Sequence, residues 1–140
     1  MVNKAITIRQ PWAHAVIYGG KTIENRSWPT KYRGPVAIHA GLALEDGVFF
    51  DFVKRRGLES SLPFGRDATR DLPRGAVVGL VDIVDCVTTD PSAWFEGPFG
   101  FILANPRPLR PIPCRGAMQL FDLPQNVIDE IGNQLKETKP

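Results

Sequence analysis

The octapeptide Gly19-Gly20-Lys21-Thr22-Ile23-Glu24-Asn25-Arg26 combines a glycine pair, an alternating strand pattern and three charged side chains. Ile23 is predicted to face the core, because alternate side chains of a strand point to opposite faces. The opposite face then carries the polar side chains Thr22, Glu24 and Arg26. Lys21 cannot share the core face unpaired, since burying an ammonium without a partner is strongly unfavourable. We therefore place Lys21 in the turn before the strand, within reach of Glu24 and Arg26.

Two interpretations of these three charges remain open. They form either a local ion-pair cluster on the surface, or a polar pocket floored by Glu24 and rimmed by Lys21 and Arg26. Exposed ion pairs are common and contribute only about 0–1 kcal/mol, so a cluster alone indicates no function. A lysine that acts as a base must lose its proton, which burial favours and a neighbouring carboxylate opposes. Glu24 therefore favours a charged Lys21 that holds a substrate over a Lys21 that acts as a base.

The segments before the octapeptide predict a strand and a short helix. Residues 5–9 alternate apolar and polar side chains, which places Arg9 away from the core. Pro11 suits the first turn of a helix that contains Trp12 and ends at the glycine pair. Trp12 falls on the apolar stripe of this helix, so both packing in the core and stacking on a ligand remain open for it.

Residues 35–39 predict another strand of the same kind, which follows a basic turn that contains Arg33. Its branched apolar side chains are expected to pack inward, and His39 is expected on the polar face with Glu24. There His39 is either a structural histidine, bonded to Glu24 or a backbone carbonyl, or a catalytic group. Arg9 is likewise either an ion-pair partner of Glu24 or a ligand contact.

The remainder of the chain predicts a mainly β fold with helices inserted early and late. The elements expected there are a helix at 42–56, an exposed loop at 58–75, strands at 76–87, 99–103 and 117–120, and a helix that begins at Pro124. The apolar run 76–87 indicates a central strand covered on both faces, and Asp82 within it needs a partner if buried, for which an arginine is the candidate. Four prolines predict that 106–113 is an extended connector without a regular ladder, either along the surface or at a sheet edge. These elements favour an α+β fold with a compact, partly closed sheet.

Length and composition predict one domain that spans residues 1–140, because 140 residues is close to the usual size of a single domain. A hydrophobic fraction of 43% with 23% charged residues argues against a disordered chain or a coiled coil. The net charge of +2 is unevenly distributed. Residues 1–40 hold six basic side chains and one acid, whereas the other hundred hold 11 basic and 14 acidic ones. This basic segment indicates an anionic partner.

The sequence predicts no metal, no cofactor and no membrane partner. Cys86 and Cys114 are 28 positions apart, and the two histidines also lack the spacing of metal ligands. No secretory signal precedes the domain, so we expect reduced thiols in a cytoplasmic protein. The longest apolar runs are far shorter than the roughly 20 residues that cross a bilayer.

The pattern Gly-x-Lys-x-x-Glu-x-Arg resembles the motif of the ASCH domain family, and it is filled in this chain by Gly19, Lys21, Glu24 and Arg26. Residues 8–13, 31–34 and 38–40 are similar to the segments that surround this motif in stand-alone bacterial and phage-borne members. The resemblance is strong over residues 4–40 and extends to about Leu123. It implies a fold similar to the PUA domain, which is a small β-barrel with helices at its ends and a cleft beside the motif.

The resemblance also implies a function, since members of this family are generally taken to bind RNA or other nucleic acids. We therefore expect an RNA or nucleotide ligand in a basic cleft around the motif. The side chains expected to bind it are Arg9, Trp12, Arg26, Arg33 and His39, with Trp28 and Tyr32 as further stacking candidates.

Two alternatives to binding remain open. A subgroup of smaller members resembles amidohydrolases of acetylated cytidine, and other members resemble ribonucleases, which makes Lys21 and Glu24 the candidate catalytic residues. That subgroup has threonine where this chain has Glu24, so a threonine nucleophile cannot be transferred to this position, although Thr22 shares the predicted face. The other alternative is a partner-binding adaptor whose cleft residues only hold the fold together.

Overall fold

The computed structural model describes residues 1–137, which form one six-stranded sheet with three α-helices and two short 3₁₀ turns. The strands are β1 (Lys4–Gln10), β2 (Ile23–Arg26), β3 (Gly34–Leu44), β4 (Ala76–Val87), β5 (Phe99–Pro113) and β6 (Leu120–Asp122). The helices are α1 (Trp12–Tyr18), α2 (Asp46–Arg55) and α3 (Gln125–Glu137), and the 3₁₀ turns are Glu59–Ser61 and Arg66–Thr69. The predicted α+β class, mainly β, is confirmed.

The strands lie in the order β2-β5-β4-β3-β1-β6, and only β1 and β3 are parallel. Both faces of the sheet are buried. What we call the inner face contains Ile6, Ile8, Val36, Ile38, Val81, Ile83, Phe101 and Leu103. The outer face contains Ala5, Ala37, Val77 and Leu80, and it packs against Val127 and Ile131 of α3. The central strand β4 is thus covered on both sides, as its apolar sequence predicts.

The sheet rolls toward a barrel without closing by strand pairing. Its edges are β2 and β6, and β6 pairs with β1 only over Lys4–Ile6. Beyond that point the side chain of Arg26 on β2 reaches β1, where its Nη2 donates a hydrogen bond to the Thr7 carbonyl oxygen at 2.6 Å. The sheet therefore differs from the expected small barrel at the gap between β2 and β1. This gap is spanned by the Arg26 side chain and not by strand pairing.

The helix expected at 42–56 begins four residues later, because residues 42–44 belong to β3. The ladder with β1 holds this segment extended, since Leu44 pairs with Gln10 and the backbone N–H of Glu45 donates to the Gln10 carbonyl at 2.7 Å. The strand expected at 117–120 likewise begins only at Leu120, where pairing with β1 starts.

The proline-rich segment 106–113 was expected to lack a regular ladder, and this part of the prediction was wrong, whereas the alternative that placed it at a sheet edge is confirmed. Strand β5 continues through it and pairs with β4, with three shifts of register along the pair. The prolines are tolerated because β2 pairs only with Phe99–Ile102, so the later half of β5 has one edge with no partner strand that needs its N–H groups. Asp82 on β4 has the arginine partner expected of it: Arg107 Nη2 lies 3.0 Å from its Oδ1, and the bond lowers the pKa of Asp82.

Candidate functional site

Lys21 lies at the bottom of a polar cluster on the inner face. Gly20, with φ of 72°, adopts the left-handed conformation that turns the chain after α1. The turn directs the Lys21 side chain inward, where it is only 1% exposed. Its Nζ donates to the Ile23 carbonyl oxygen and to Glu24 Oε1, the latter at 3.0 Å. The predicted position in the turn, within reach of Glu24, is confirmed, but Lys21 forms the floor of the cluster and not its rim.

Glu24 lies between two cations. Its Oε1 accepts from Lys21 Nζ and its Oε2 accepts from Arg26 Nε, each at 3.0 Å. The Glu24 side chain is 11% exposed and that of Arg26 is 22% exposed. We call Lys21, Glu24 and Arg26 the motif cluster. Because each carboxylate oxygen can accept more than one hydrogen bond, Glu24 keeps acceptor capacity for a further donor.

The indole of Trp12 connects the motif cluster to the protein surface. Lys21 Nζ lies 5.6 Å from the centre of the Trp12 ring, within the range of a cation–π interaction. On the other side, Trp12 Nε1 donates to Glu45 Oε1 at 3.1 Å, and Glu45 Oε2 accepts from Arg9 Nη1 at 2.9 Å. Arg9 is exposed, as predicted, but its acidic partner is Glu45 and not Glu24. Sequence analysis missed Glu45, whose position as the residue before α2 gave no signal of this contact.

His39 does not lie with the motif cluster. It is 2% exposed on the outer face, where its Nε2 donates to the Cys114 carbonyl oxygen at 2.6 Å and its Nδ1 lies 3.1 Å from Thr7 Oγ1. Glu24 instead pairs across strands with Phe101 of the inner face. The prediction of one polar face shared by His39 and Glu24 was wrong, because both faces of the sheet are covered. Burial lowers the pKa of His39, and the bond to Cys114 only partly opposes this shift.

Two further predicted residues lie apart from the motif cluster. Arg33 is held by its own turn, since its Nη1 donates to the carbonyl oxygens of Thr30 and Tyr32, and its Nη2 lies 3.7 Å from an Asp85 oxygen. Thr22 is exposed, and its backbone carbonyl accepts from the N–H of Leu103. The structure therefore brings together Lys21, Glu24, Arg26 and Trp12, with Arg9 joined through Glu45.

Two cavities lie elsewhere in the molecule. Cavities of about 640 and 210 Å³ share Tyr18 and the proline-rich half of β5 as walls, and neither is lined by a residue of the motif cluster. The arginines beside the larger cavity are paired, Arg107 with Asp82 and Arg110 with Glu137. Glu24, whose carboxylate can accept a further hydrogen bond, lies outside both cavities.

The described part of the chain has neither a cluster of metal-ligating side chains nor a membrane-spanning helix. Residues 1–137 contain no group of three His, Cys, Asp or Glu side chains placed to hold a metal ion. Among the helices of the same residues, none is long and apolar enough to span a membrane. Cys86 and Cys114 are both free thiols, and burial raises the pKa of Cys114.

Sequence relatives carry the same domain in a longer chain. Activating signal cointegrator 1 from Homo sapiens is 29% identical to this chain over 133 residues, and the Mus musculus protein is 28% identical over 133 residues. Each alignment covers 87% of this chain and 22% of the relative. The chain thus spans about a fifth of the length of the curated relatives it matches.

Solved structures with the same fold include the crystal structure of ASCH from Zymomonas mobilis. It matches with a TM-score of 0.55 at 16% identity and covers 93% of both chains. A point mutant of that protein matches with a TM-score of 0.54, also at 16% identity, and covers 93% of this chain and 96% of the mutant chain. At this identity the likeness shows the fold alone. The ASCH domain family model matches residues 6–112, which is more than half of the sequence, and the chain therefore belongs to the ASCH domain family.

Proposed function

We propose that this protein binds single-stranded RNA, or a nucleotide, in the cleft beside the motif cluster. The family is associated with RNA binding, and the first forty residues supply the positive charge that such a ligand attracts. The observation that carries the proposal is the placement of Glu24, which is held 3.0 Å from both Lys21 and Arg26 with 11% of its side chain exposed.

The arrangement suits recognition of a base that carries an exocyclic amine. A carboxylate accepts hydrogen bonds from such an amine, as acidic side chains do from N4 of cytosine. Lys21 and Arg26 each bond one carboxylate oxygen of Glu24 and so fix its orientation, so that little reordering is needed when a base arrives. Uracil has no exocyclic amine and would leave the free acceptor capacity of Glu24 unused. We therefore propose that Glu24 contacts the base and that Lys21 is a positioning residue.

Two indoles are available for stacking beside this acceptor. Trp12 is half-buried and is held by its bond to Glu45 and by edge contacts with Phe49 and Phe52, at ring-centre distances of 4.9 and 5.3 Å. Trp28 is also half-buried and packs edge-on against Phe101 at 5.1 Å. A base stacked on an aromatic ring contributes roughly 1–3 kcal/mol, and a ring already fixed by packing loses little freedom on binding.

The hydrolase alternative has less support than binding. The Lys21 side chain is 1% exposed, and its Nζ already donates to Glu24 and to the Ile23 carbonyl oxygen. Thr22 is exposed beside the cluster and makes no side-chain bond to Lys21, and His39 lies on the outer face. We therefore propose binding rather than turnover for this site.

The test compares oligocytidine with oligouridine RNA by fluorescence anisotropy at low and high salt. Wild-type protein is expected to prefer cytidine by about 1–3 kcal/mol, the usual discrimination of one well-placed base contact. A double variant, Lys21→Met with Glu24→Leu, removes the buried ammonium together with its carboxylate and leaves Arg26, whose side chain is 22% exposed, as the one charge of the cluster; it should lose this preference. The absence of binding at low salt would contradict the proposal.

The matched control removes one acidic and one basic side chain from another element. Asp51 and Arg55 form an exposed pair on α2, with Arg55 Nε 2.9 Å from Asp51 Oδ2. The double variant Asp51→Ala with Arg55→Ala has the same net charge as the cluster variant and should keep the preference for cytidine. An equal loss in both double variants, or an unchanged preference in the cluster variant, would remove Glu24 from base recognition.

A further inference from the structure

Three arginines lie at one end of the sheet, at the level where four neighbouring strands begin or end. The register across β1, β3, β4 and β5 aligns Ile8, Ala40, Ala76 and Pro113 in one row. The residues one position beyond this row are Arg9, Gly41, Gly75 and Cys114, and the next position outward on β4 and β5 carries Arg74 and Arg115. We call the side chains Arg9, Arg74 and Arg115 the arginine rim.

Direct contacts confirm that these chain ends are adjacent. The N–H of Gly75 donates to the Ala40 carbonyl at 2.7 Å, and the N–H of Cys114 donates to the Gly75 carbonyl at 3.1 Å. A Cβ on Gly41 would lie 3.7 Å from Cγ of Arg9. Because neighbouring strands are about 4.8 Å apart, the rim spans roughly 14 Å from β1 to β5. The rim is therefore longer than a binding site for a single phosphate group.

Two of these arginines are unpaired. Arg74 and Arg115 are exposed, and neither side chain makes an ion pair or hydrogen bond with any residue from 1 to 137. Several other exposed arginines are paired, such as Arg55 with Asp51 and Arg110 with Glu137, whereas Arg70 in the segment between α2 and β4 has no ion pair with residues 1–137. An arginine presents a planar fork of donors that matches phosphate, and an unpaired one has no internal partner to give up on binding.

The rim is continuous with the cleft proposed above. Arg9 belongs to the rim and also donates to Glu45, which accepts from the Trp12 indole, whose ring faces Lys21. A single-stranded RNA that places one base at Trp12 and Glu24 would therefore leave the cleft past Arg9. Its next phosphates would then meet Arg74 and Arg115. This continuity favours the ligand of the cleft as the occupant of the rim.

We propose that the arginine rim binds the phosphate backbone of a single-stranded RNA whose base is read in the cleft. This inference rests on the proposed function. In this arrangement the rim supplies affinity that does not depend on sequence, and Glu24 supplies the choice of base. The two surfaces thus predict separate effects of mutation: changes in the rim alter the salt dependence, and changes in the cleft alter the base preference.

The experiment measures the affinity of wild type and of Arg74→Ala with Arg115→Ala for oligocytidine at several salt concentrations. For a single strand each lost phosphate contact lowers the slope of log K against log salt by about 0.7, so the rim variant should lose about 1.4. Its preference for cytidine over uridine should remain. The matched control, Lys54→Ala with Lys136→Ala, removes two cations from α2 and α3 and should leave the slope unchanged. Thermal melts verify that both variants fold, as is expected for exposed, unpaired side chains.

The outcomes separate this inference from the proposed function. Absence of RNA binding by wild type would remove the proposed function and this inference with it. Binding with an unchanged slope in the rim variant, or an equal fall in the control, would overturn the rim alone. Displacement of the RNA by polyglutamate at matched charge would also overturn it, since it would make the rim a general surface for polyanions.

Discussion

Glu24 is the residue on which the motif cluster depends, because it is the shared acceptor of both cations. We predict that Glu24→Ala destabilises the protein by about 3–5 kcal/mol, since removing one partner leaves the buried ammonium of Lys21 uncompensated. Urea unfolding followed by tryptophan fluorescence measures this change. The Lys21 side chain is 1% exposed, so solvent gives it little relief.

The double variant of Lys21→Met with Glu24→Leu separates the charge from the packing at this position. Replacing a buried ion pair with apolar side chains of similar volume is often neutral or stabilising, so this variant should be more stable than Glu24→Ala. If the single and double variants lose the same stability, packing rather than the uncompensated ammonium causes the loss.

His39 makes stability depend on pH. Its pKa in the folded protein is lowered from the ordinary value of 6.5, chiefly by burial, so below pH 6.5 the unfolded chain binds more protons than the folded one. The contribution of His39 is therefore complete above pH 6.5 and declines as the pH falls from there toward its folded pKa. Protonation also removes the acceptor at Nδ1 that faces the Thr7 hydroxyl. Melting temperatures between pH 5 and 8 should fall on the acid side.

His14 is the other histidine, and burial lowers its pKa as well. The variant His39→Gln should reduce the pH dependence of stability below pH 6.5, and His14→Gln should reduce the remainder. A fall in stability below pH 6.5 that neither substitution changes would contradict the assignment to histidine, since the contribution of Asp82, whose pKa is lowered from 3.8, is lost only at lower pH.

Among the elements, the packing of α1 on β4 depends on Gly79. A Cβ at this position would lie 2.5 Å from Ile17 Cδ1 and 2.9 Å from the Arg107 carbonyl oxygen, which is backbone and cannot move aside easily. We predict that Gly79→Ala costs about 1–3 kcal/mol through overpacking, as measured by chemical denaturation. Gly132→Ala on α3 is the matched control: it meets nothing within 4 Å and should stabilise the helix by up to about 1 kcal/mol.

How much of each element could be predicted depended on where its hydrogen-bond partners lie. The periodicity of α1, β4 and the buried stripe of α3 is local, and these elements appear close to their predicted positions. The start of α2 was misplaced because Leu44 is held by Gln10 of a distant strand. The prolines of β5 indicated a sheet edge, but the sequence alone did not reveal that the other edge of this segment pairs with β4 as far as Pro113.

The contacts of the candidate site could likewise be predicted only where both partners are close in sequence. Lys21, Glu24 and Arg26 lie within six residues, and their contacts followed from strand alternation and the cost of an unpaired ammonium. Glu45 lies 33 residues from Trp12, to which it is bonded, and Cys114 lies 75 residues from His39. No rule of sequence spacing predicts either contact. The predicted polar face failed for His39 because it assumed that only one side of the sheet is covered.

At the scale of the whole molecule, Arg26 connects the two sides of the rolled sheet. Its Nε binds Glu24 on its own strand, and its Nη2 binds the Thr7 carbonyl of β1 beyond the end of the pairing with β6. The same side chain therefore orders the candidate base-reading acid and holds the free edge β2 in place. An adaptor whose cleft residues only hold the fold would need this contact as much as an RNA-binding protein would.

We predict that Arg26→Lys loosens β2 selectively. A lysine offers one ammonium in place of the guanidinium fork, so it cannot bond Glu24 and reach Thr7 with the same geometry. Loss of one hydrogen bond from a charged donor costs about 1.5–3 kcal/mol, so amide hydrogen exchange in β2 should accelerate by roughly tenfold or more. Exchange in the central strand β4 should change much less, and Arg55→Lys on α2 should leave β2 unaffected. Equal acceleration in β2 and β4 would mean that Arg26 supports the whole fold rather than this edge, and unchanged exchange in β2 would show that the gap beside β1 is held by its apolar packing alone.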